Sequence, residues 1–146
     1  MEEQVAEQML IRATPRQCLD VLIAFEEYPE WAADIKAVSV DKRDGEGRAE
    51  RVTFRAAAFG RSTSYTLLYD YSEWPDELSW VQTDGDLTKR LDGSYQIVPA
   101  GEEGTEIVYR LTVELKVPLP GFVKRRAEGR IMGTALRELK ARVEQA

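Results

Sequence analysis

From Ile35 to Val117 the chain passes through six β-rich stretches, residues 35–43, 48–58, 62–72, 77–83, 87–98 and 105–117, and only turn-length segments separate them. The separators are Asp44-Gly45-Glu46-Gly47, Gly60-Arg61, Trp74-Pro75-Asp76-Glu77, Asp84-Gly85-Asp86 and the run from Pro99 to Gly104. Each is rich in residues that set turn dihedrals or accept positive φ. A parallel pair needs a crossover of about a dozen residues or more, so these strands must form an antiparallel meander in chain order.

Alternation shows which face of that sheet is wet. Ile107, Tyr109, Leu111, Val113 and Leu115 fall on one side, and Val108, Arg110, Thr112, Glu114 and Lys116 on the other. Tyr65, Leu67, Tyr69 and Tyr71 alternate with Thr66, Leu68 and Asp70 in the same way. One face is therefore buried and needs a cover. The C-terminal segment is the only one long enough to supply it. At about 1.5 Å per residue, a helix from Gly121 onward spans on the order of 40 Å, and Pro118 and Pro120 end the β pattern before it.

Along that helix Phe122, Arg125, Gly129, Met132, Leu136, Leu139 and Val143 are spaced by threes and fours and share a face. From Met132 onward the face is aliphatic, as a core seam requires. Over Phe122 to Gly129 an arginine and a glycine stand where a seam would place Leu or Ile, which suits a pocket wall. Two plainer accounts stay open: Gly129 and Gly133 as a close approach of helix to sheet, and Arg125 as a packed stem with its guanidinium in solvent. The sharper account of Arg125 is an anchor for a carboxylate, phosphate or enolate.

Before the meander, residues 5–12 make a first strand. Thr14-Pro15-Arg16-Gln17 then starts a helix, with Thr14 as N-cap, Pro15 at the first helical position and Gln17 completing a capping box. Cys18, Leu22 and Phe25 share a face of it, so Cys18 is a small core side chain. Pro29 should end this helix near Phe25 and begin a second short one carrying Trp31. The expected architecture is α+β and one domain over residues 1–146: a curved seven-stranded antiparallel sheet wrapped around a long C-terminal helix, with two short helices between strands 1 and 2.

Composition removes function classes. The chain has no histidine and one cysteine, which rules out His-based dyads, His zinc sites, intrachain disulfides and multi-cysteine clusters. No metal site and no cofactor is expected. Net charge is −6; residues 124–144 hold seven cations against three carboxylates, a local +4, which leaves −10 elsewhere. That balance speaks against nucleic acid as a partner. The basic helix is then a solvated face, or a surface for an acidic partner or a lipid headgroup. No stretch approaches the roughly 18 apolar residues of a membrane span, and Met1-Glu2-Glu3-Gln4-Val5 lacks a basic n-region, so no stable membrane insertion and a cytoplasmic location are expected.

Four segments carry a family resemblance: Ile11-x-Ala13-Thr14-Pro15; Phe25-x-x-Tyr28-Pro29-x-Trp31; Leu91-Asp92-Gly93-Ser94-Tyr95; and Val117-Pro118-Leu119-Pro120-Gly121-Phe122 leading into the basic helix. Together they resemble the polyketide cyclase/dehydrase and lipid-transfer group of the START-related superfamily, the SRPBCC group, over nearly the whole chain. The resemblance implies the helix-grip fold. Its members range from cyclases to passive carriers, coenzyme Q-binding proteins and a ribosome-association toxin.

A curved sheet gripping a helix tends to leave an apolar cavity with a few placed polar groups. The residues expected to line it are Trp31, Tyr65, Tyr69, Trp80, Tyr95 and Tyr109, and on the helix Phe122, Arg125, Gly129 and Met132. Plain core packing is the alternative for each aromatic. The leading expectation is binding or transport of a small hydrophobic ligand: a lipid, isoprenoid or polyketide. A second is a cyclase or aromatase; Asp70, Asp92 and Glu114 fall on the outward parity, so no carboxylate pair is expected, but Arg55 and Arg90 would face inward were the register shifted by one. A third is a protein-interaction module using the basic helix. Oligomeric state stays open, including a homodimer through a sheet edge.

Overall fold

The structure is a computed structural model that describes residues 4–58 and 60–145. In chain order the elements are β1 (Val5–Ile11), α1 (Pro15–Ile23), a 3-10 turn (Phe25–Glu27), α2 (Tyr28–Trp31), β2 (Ile35–Arg43), β3 (Ala49–Ala58) and β4 (Arg61–Asp70). Then follow β5 (Glu77–Gly85), β6 (Thr88–Pro99), a second 3-10 turn (Gly101–Glu103), β7 (Thr105–Leu115) and α3 (Gly121–Gln145). The seven strands form one sheet in the order β1-β7-β6-β5-β4-β3-β2, every pair antiparallel. This is the helix-grip architecture expected above.

The first strand returns to the last: Val5 pairs with Leu111 and Ile11 with Thr105. That long-range pairing leaves β1 and β2 as the two edges. The capping box forms as expected, with Thr14 Oγ1 accepting from the Gln17 N–H at 3.2 Å and Gln17 Oε1 from the Thr14 N–H at 2.8 Å. β4 stops at Asp70 rather than 72. The Asp70 carboxylate accepts the Ser72 N–H at 2.8 Å, and the Trp74 N–H turns back to the Tyr71 carbonyl at 3.0 Å. That turn withdraws Tyr71 and Ser72 from the ladder.

α3 lies against β1, β7 and α1. Its buried side chains are Glu128, Met132, Leu136, Leu139 and Val143; burying each of the apolar ones contributes about 1.5–3 kcal/mol. Its C-terminal end is tied at several points. The Arg12 N–H donates to Glu144 at 2.8 Å, Lys140 Nζ donates to the Leu10 carbonyl at 3.1 Å, and Arg142 bridges Glu27 and Glu30 at 3.0 and 3.2 Å. These contacts are exposed and individually weak, but together they pin the helix to the end of β1, to the 3-10 turn and to α2. The long helix is therefore anchored toward its C-terminal end.

Candidate functional site

Between the concave face of the sheet, α2 and α3 lies a cavity of about 150 Å³. Its sheet wall is a belt of rings, Phe54, Tyr65, Tyr69, Trp80, Tyr95 and Tyr109, filled out by Leu67, Leu91 and Leu111. The belt follows from strand pairing. Phe54 stands opposite Tyr65, Tyr69 opposite Trp80, and Tyr95 opposite Tyr109, so inward-facing aromatics of neighbouring strands meet as cross-strand pairs. Ring centroids are 5.4 Å apart for Phe54–Tyr65, 5.8 Å for Tyr69–Trp80, 5.2 Å for Trp80–Tyr95 and 4.6 Å for Tyr95–Tyr109.

Gly93 makes that belt continuous. It is the register partner of Trp80, and a Cβ placed on it would lie 2.7 Å from the indole Cζ2 and 2.4 Å from the Arg110 carbonyl oxygen. The indole lies across the glycine because no side chain stands there.

The opposite wall is built by short elements. Tyr28, Trp31 and Ala32 come from α2 and its end, Asp34 and Ile35 from the start of β2, and Ile131, Thr134, Ala135 and Glu138 from α3. Tyr28 is held by its hydroxyl, which donates to the Leu22 carbonyl at 2.6 Å. The Glu138 carboxylate accepts the Ala33 N–H at 3.1 Å, so α3 is stitched to the α2–β2 loop beside the cavity.

The chemistry inside is that of donors in an apolar setting. Burial pushes the phenols of Tyr28, Tyr65, Tyr69, Tyr95 and Tyr109 well above the usual tyrosine range, with neighbouring phenols and, for Tyr65, the Asp34 charge adding to the rise. They stay neutral at physiological pH and act as hydrogen-bond donors, not as bases. Trp80 contributes one more: its Nε1–H is fully buried and meets no acceptor among the described residues. A buried donor left so costs about 1–3 kcal/mol, which an incoming acceptor recovers.

The expected lining residues divide cleanly by position. Trp31, Tyr65, Tyr69, Trp80, Tyr95 and Tyr109 meet around the cavity; Phe122, Arg125, Gly129 and Met132 do not line it. Phe122 is 67 % exposed, and Met132 is wholly buried in the core cluster. The Arg125 guanidinium folds back along its own helix toward Gly121. At Gly129 an added Cβ would meet nothing within 4 Å, and at Gly133 it would meet only Arg137 of the same helix. Neither glycine marks a close approach to the sheet. Over this half of α3 the buried position is Glu128, one residue before Gly129.

The helix face that does line the cavity, Ile131, Thr134, Ala135 and Glu138, runs beside the aliphatic seam, not along its extension. Its spacing of three, four and seven was present in the sequence, but polar members at 134 and 138 concealed it. Arg55 is exposed, and Arg90 sits 2.6 Å from Asp92, which also accepts the Gln82 N–H at 2.9 Å. Neither arginine, nor Asp70, Asp92 or Glu114, lines the cavity.

Fold and site together define a helix-grip protein whose sheet and C-terminal helix enclose a small cavity walled mainly by aromatic side chains. The chain belongs to the polyketide cyclase/dehydrase and lipid transport family, whose model matches residues 2–144. No curated protein matches the sequence. Among solved structures it is similar to a START superfamily protein from Mycobacterium smegmatis, at 24% identity with 99% of each chain covered and a TM-score of 0.93. It is also similar to the Zhui aromatase/cyclase from Streptomyces sp. R1128, at 12% identity over 99% of this chain and 95% of that one, with a TM-score of 0.85. A protein of Thermus thermophilus superposes with a TM-score of 0.79 at 23% identity, with 98% of each chain covered. At these identities the likenesses establish the fold. Among the described residues no helix is long and apolar enough to cross a membrane.

Proposed function

We propose that this chain binds and carries a small, ring-bearing hydrophobic molecule that presents a hydrogen-bond acceptor, such as a carbonyl or ether oxygen, to Trp80. The observation that carries this reading is Trp80, a cavity-lining residue whose buried indole N–H has no acceptor among the described residues. Apolar walls supply affinity, and the placed donor supplies orientation. A cavity of about 150 Å³ holds one aromatic ring in its present shape. A longer polyketide or isoprenoid chain would enter only as α2 and the unpinned half of α3 move outward.

Carriage is favoured over turnover by what lines the cavity. The phenols are donors that stay protonated, and the two carboxylates present, Asp34 and Glu138, lie on the helical side, Glu138 with one oxygen committed to the Ala33 N–H. A cyclase reading draws on the same phenols, which would polarise a substrate carbonyl, and on the likeness to an aromatase/cyclase.

The test is an NMR titration with acetophenone, one ring with a carbonyl, against ethylbenzene, which lacks the acceptor. Acetophenone should bind more tightly, and Trp80→Phe should weaken it by about five- to ten-fold, one net hydrogen bond, while leaving ethylbenzene unchanged. Ala135→Phe, which places a ring in the cavity, should abolish both. Equal affinities for the two probes in the native chain, or uptake that survives Ala135→Phe, would refute the site.

A further inference from the structure

The start of α3 and the segment before it bring together two features that a surface rarely combines. Four large apolar side chains are exposed in close succession: Val117 at 58 %, Leu119 at 37 %, Phe122 at 67 % and Val123 at 38 %. Around them stand Lys116, Lys124, Arg125, Arg126 and Arg130. Residues 116–130 therefore hold five cations against one carboxylate, a local +4, while the total of −6 leaves −10 for the rest of the chain. The one carboxylate, Glu128, is buried, so the exposed charges of this segment are all cationic.

Several cations elsewhere are ion-paired. Arg43 meets Glu26, Arg48 meets Asp44 and Glu46, Arg142 meets Glu27 and Glu30, and Lys140 meets Glu144. Among the described residues none of the five cations at the start of α3 has an ion pair. Unpaired cations around an exposed phenylalanine are the composition of a segment that rests in the headgroup layer of an anionic bilayer, rings and aliphatics entering the acyl boundary and cations meeting the lipid phosphates and carboxylates.

Placement ties this patch to the cavity. A groove of about 670 Å³ runs between α3 and the end of the β3–β4 hairpin, lined by Val123, Arg126 and Arg130 on one side and Gly60 and Arg61 on the other. It shares Asp34, Ile131 and Thr134 with the cavity wall. A surface that seats residues 117–130 on a membrane thus brings the helical side of the cavity next to the phase in which an apolar ligand is dissolved.

We infer that residues 116–130, with Arg61, form a peripheral docking surface for anionic lipid bilayers, through which the cavity exchanges its ligand. An acidic protein would satisfy the charges, but it would leave unexplained why the apolar cluster and the cavity wall lie along the same edge. The exchange role rests on the ligand-binding reading above; the docking surface stands on its own residues.

The experiment is flotation of the full chain with phosphatidylcholine vesicles, with and without phosphatidylserine, at low and high salt. The native protein should float only with the phosphatidylserine vesicles and be released by salt. Arg126→Glu with Arg130→Glu should lower partitioning on the order of 25-fold or more, about five-fold per cation removed. Phe122→Ser should lower it on the order of ten-fold. All three side chains are exposed, so melting temperatures should be unchanged and a loss of binding is not a loss of fold. No preference for phosphatidylserine, or binding insensitive to both variants, overturns the inference. Retention on immobilised polyglutamate without vesicle binding also overturns it, and assigns the surface to an acidic polypeptide. Acetophenone uptake without vesicles keeps the two readings apart: uptake lost with flotation intact sinks the cavity reading alone, and uptake intact with flotation lost sinks the docking surface alone.

Discussion

Replacing Gly93 by alanine is the substitution that most directly probes how the aromatic belt is held. Gly93 pairs with Trp80 on one side and Leu111 on the other, in a strand hydrogen-bonded along both edges. The new methyl would lie 2.4 Å from the Arg110 carbonyl oxygen and 2.7 Å from the indole of Trp80, whereas a carbon rests against such an oxygen at about 3.3 Å or more. Something must move by nearly an ångström. The carbonyl belongs to a paired strand, and the indole, 5 % exposed, is wedged among Tyr69, Tyr95 and Tyr109. Overpacking of this kind costs about 1–3 kcal/mol, and two constrained neighbours place Gly93→Ala at the upper end. The opposing gain, the lower unfolded-state entropy of alanine, is about 0.4–1 kcal/mol, so destabilisation wins. For a chain of this length each kcal/mol moves the melting temperature by about 2–4 °C, and the net expectation is a fall of about 4–8 °C by calorimetry. Displacement of the indole should also lower acetophenone uptake. A variant that melts within about 1 °C of the native chain and takes up the probe normally would show that Trp80 is not clamped over Gly93.

Three further outcomes test the rest of the fold. Met132→Ala, at a position with no exposure, should cost about 2–5 kcal/mol, whereas Phe122→Ala on the exposed first turn of α3 should stay within about 0.5 kcal/mol by urea denaturation. Thr14→Ala removes the N-cap oxygen and half of the capping box, and should lose about 1 kcal/mol, read as a small fall in melting temperature. The buried phenols give the alkaline response: their folded-state values lie above the unfolded value near 10, with Tyr71 pushed up to about 12 mainly by burial and the others higher. Groups raised in this way contribute stability that is intact below about pH 10 and lost as pH rises through the folded-state values. Stability should therefore be flat across neutral pH and fall steeply above about 10, with phenolate absorbance appearing only as the chain unfolds; normal titration of all six tyrosines in the folded state would refute the burial of the belt.

How far the cavity was legible in the sequence depended on which element supplied each wall. Tyr65, Tyr69, Tyr95 and Tyr109 were readable because a strand has a period of two, and one buried face names every other residue. Trp80 followed from the same alternation, but its orphan N–H did not, since an unmet donor is a property of everything around it. On α3 the reading failed by roughly one position per turn. The aliphatic stripe from Met132 to Val143 was extended backward to Phe122, whereas the cavity is faced by Ile131, Thr134, Ala135 and Glu138 on the adjoining side.

The sequence alone determined the pairing order of the six meander strands, because turn-length connections admit only antiparallel neighbours. It also determined the capping box at Thr14, the strand-borne aromatics and the aliphatic seam of α3, all of which arise from short-range geometry and a strict period. Only the tertiary structure decided that β1 closes onto β7 across a hundred residues, and that the start of α3 is a surface and not a wall. It alone decided that Gly93, not Gly129, is the glycine on which the cavity depends. For the strands the physical reason is that pairing across about a hundred residues is a long-range contact that no local period encodes, and for α3 it is that a helix can rotate about its axis without changing its own hydrogen bonds. Which of its faces meets the sheet is set by the sheet's curvature and by distant anchors, here Arg12 and Leu10 gripping Glu144 and Lys140.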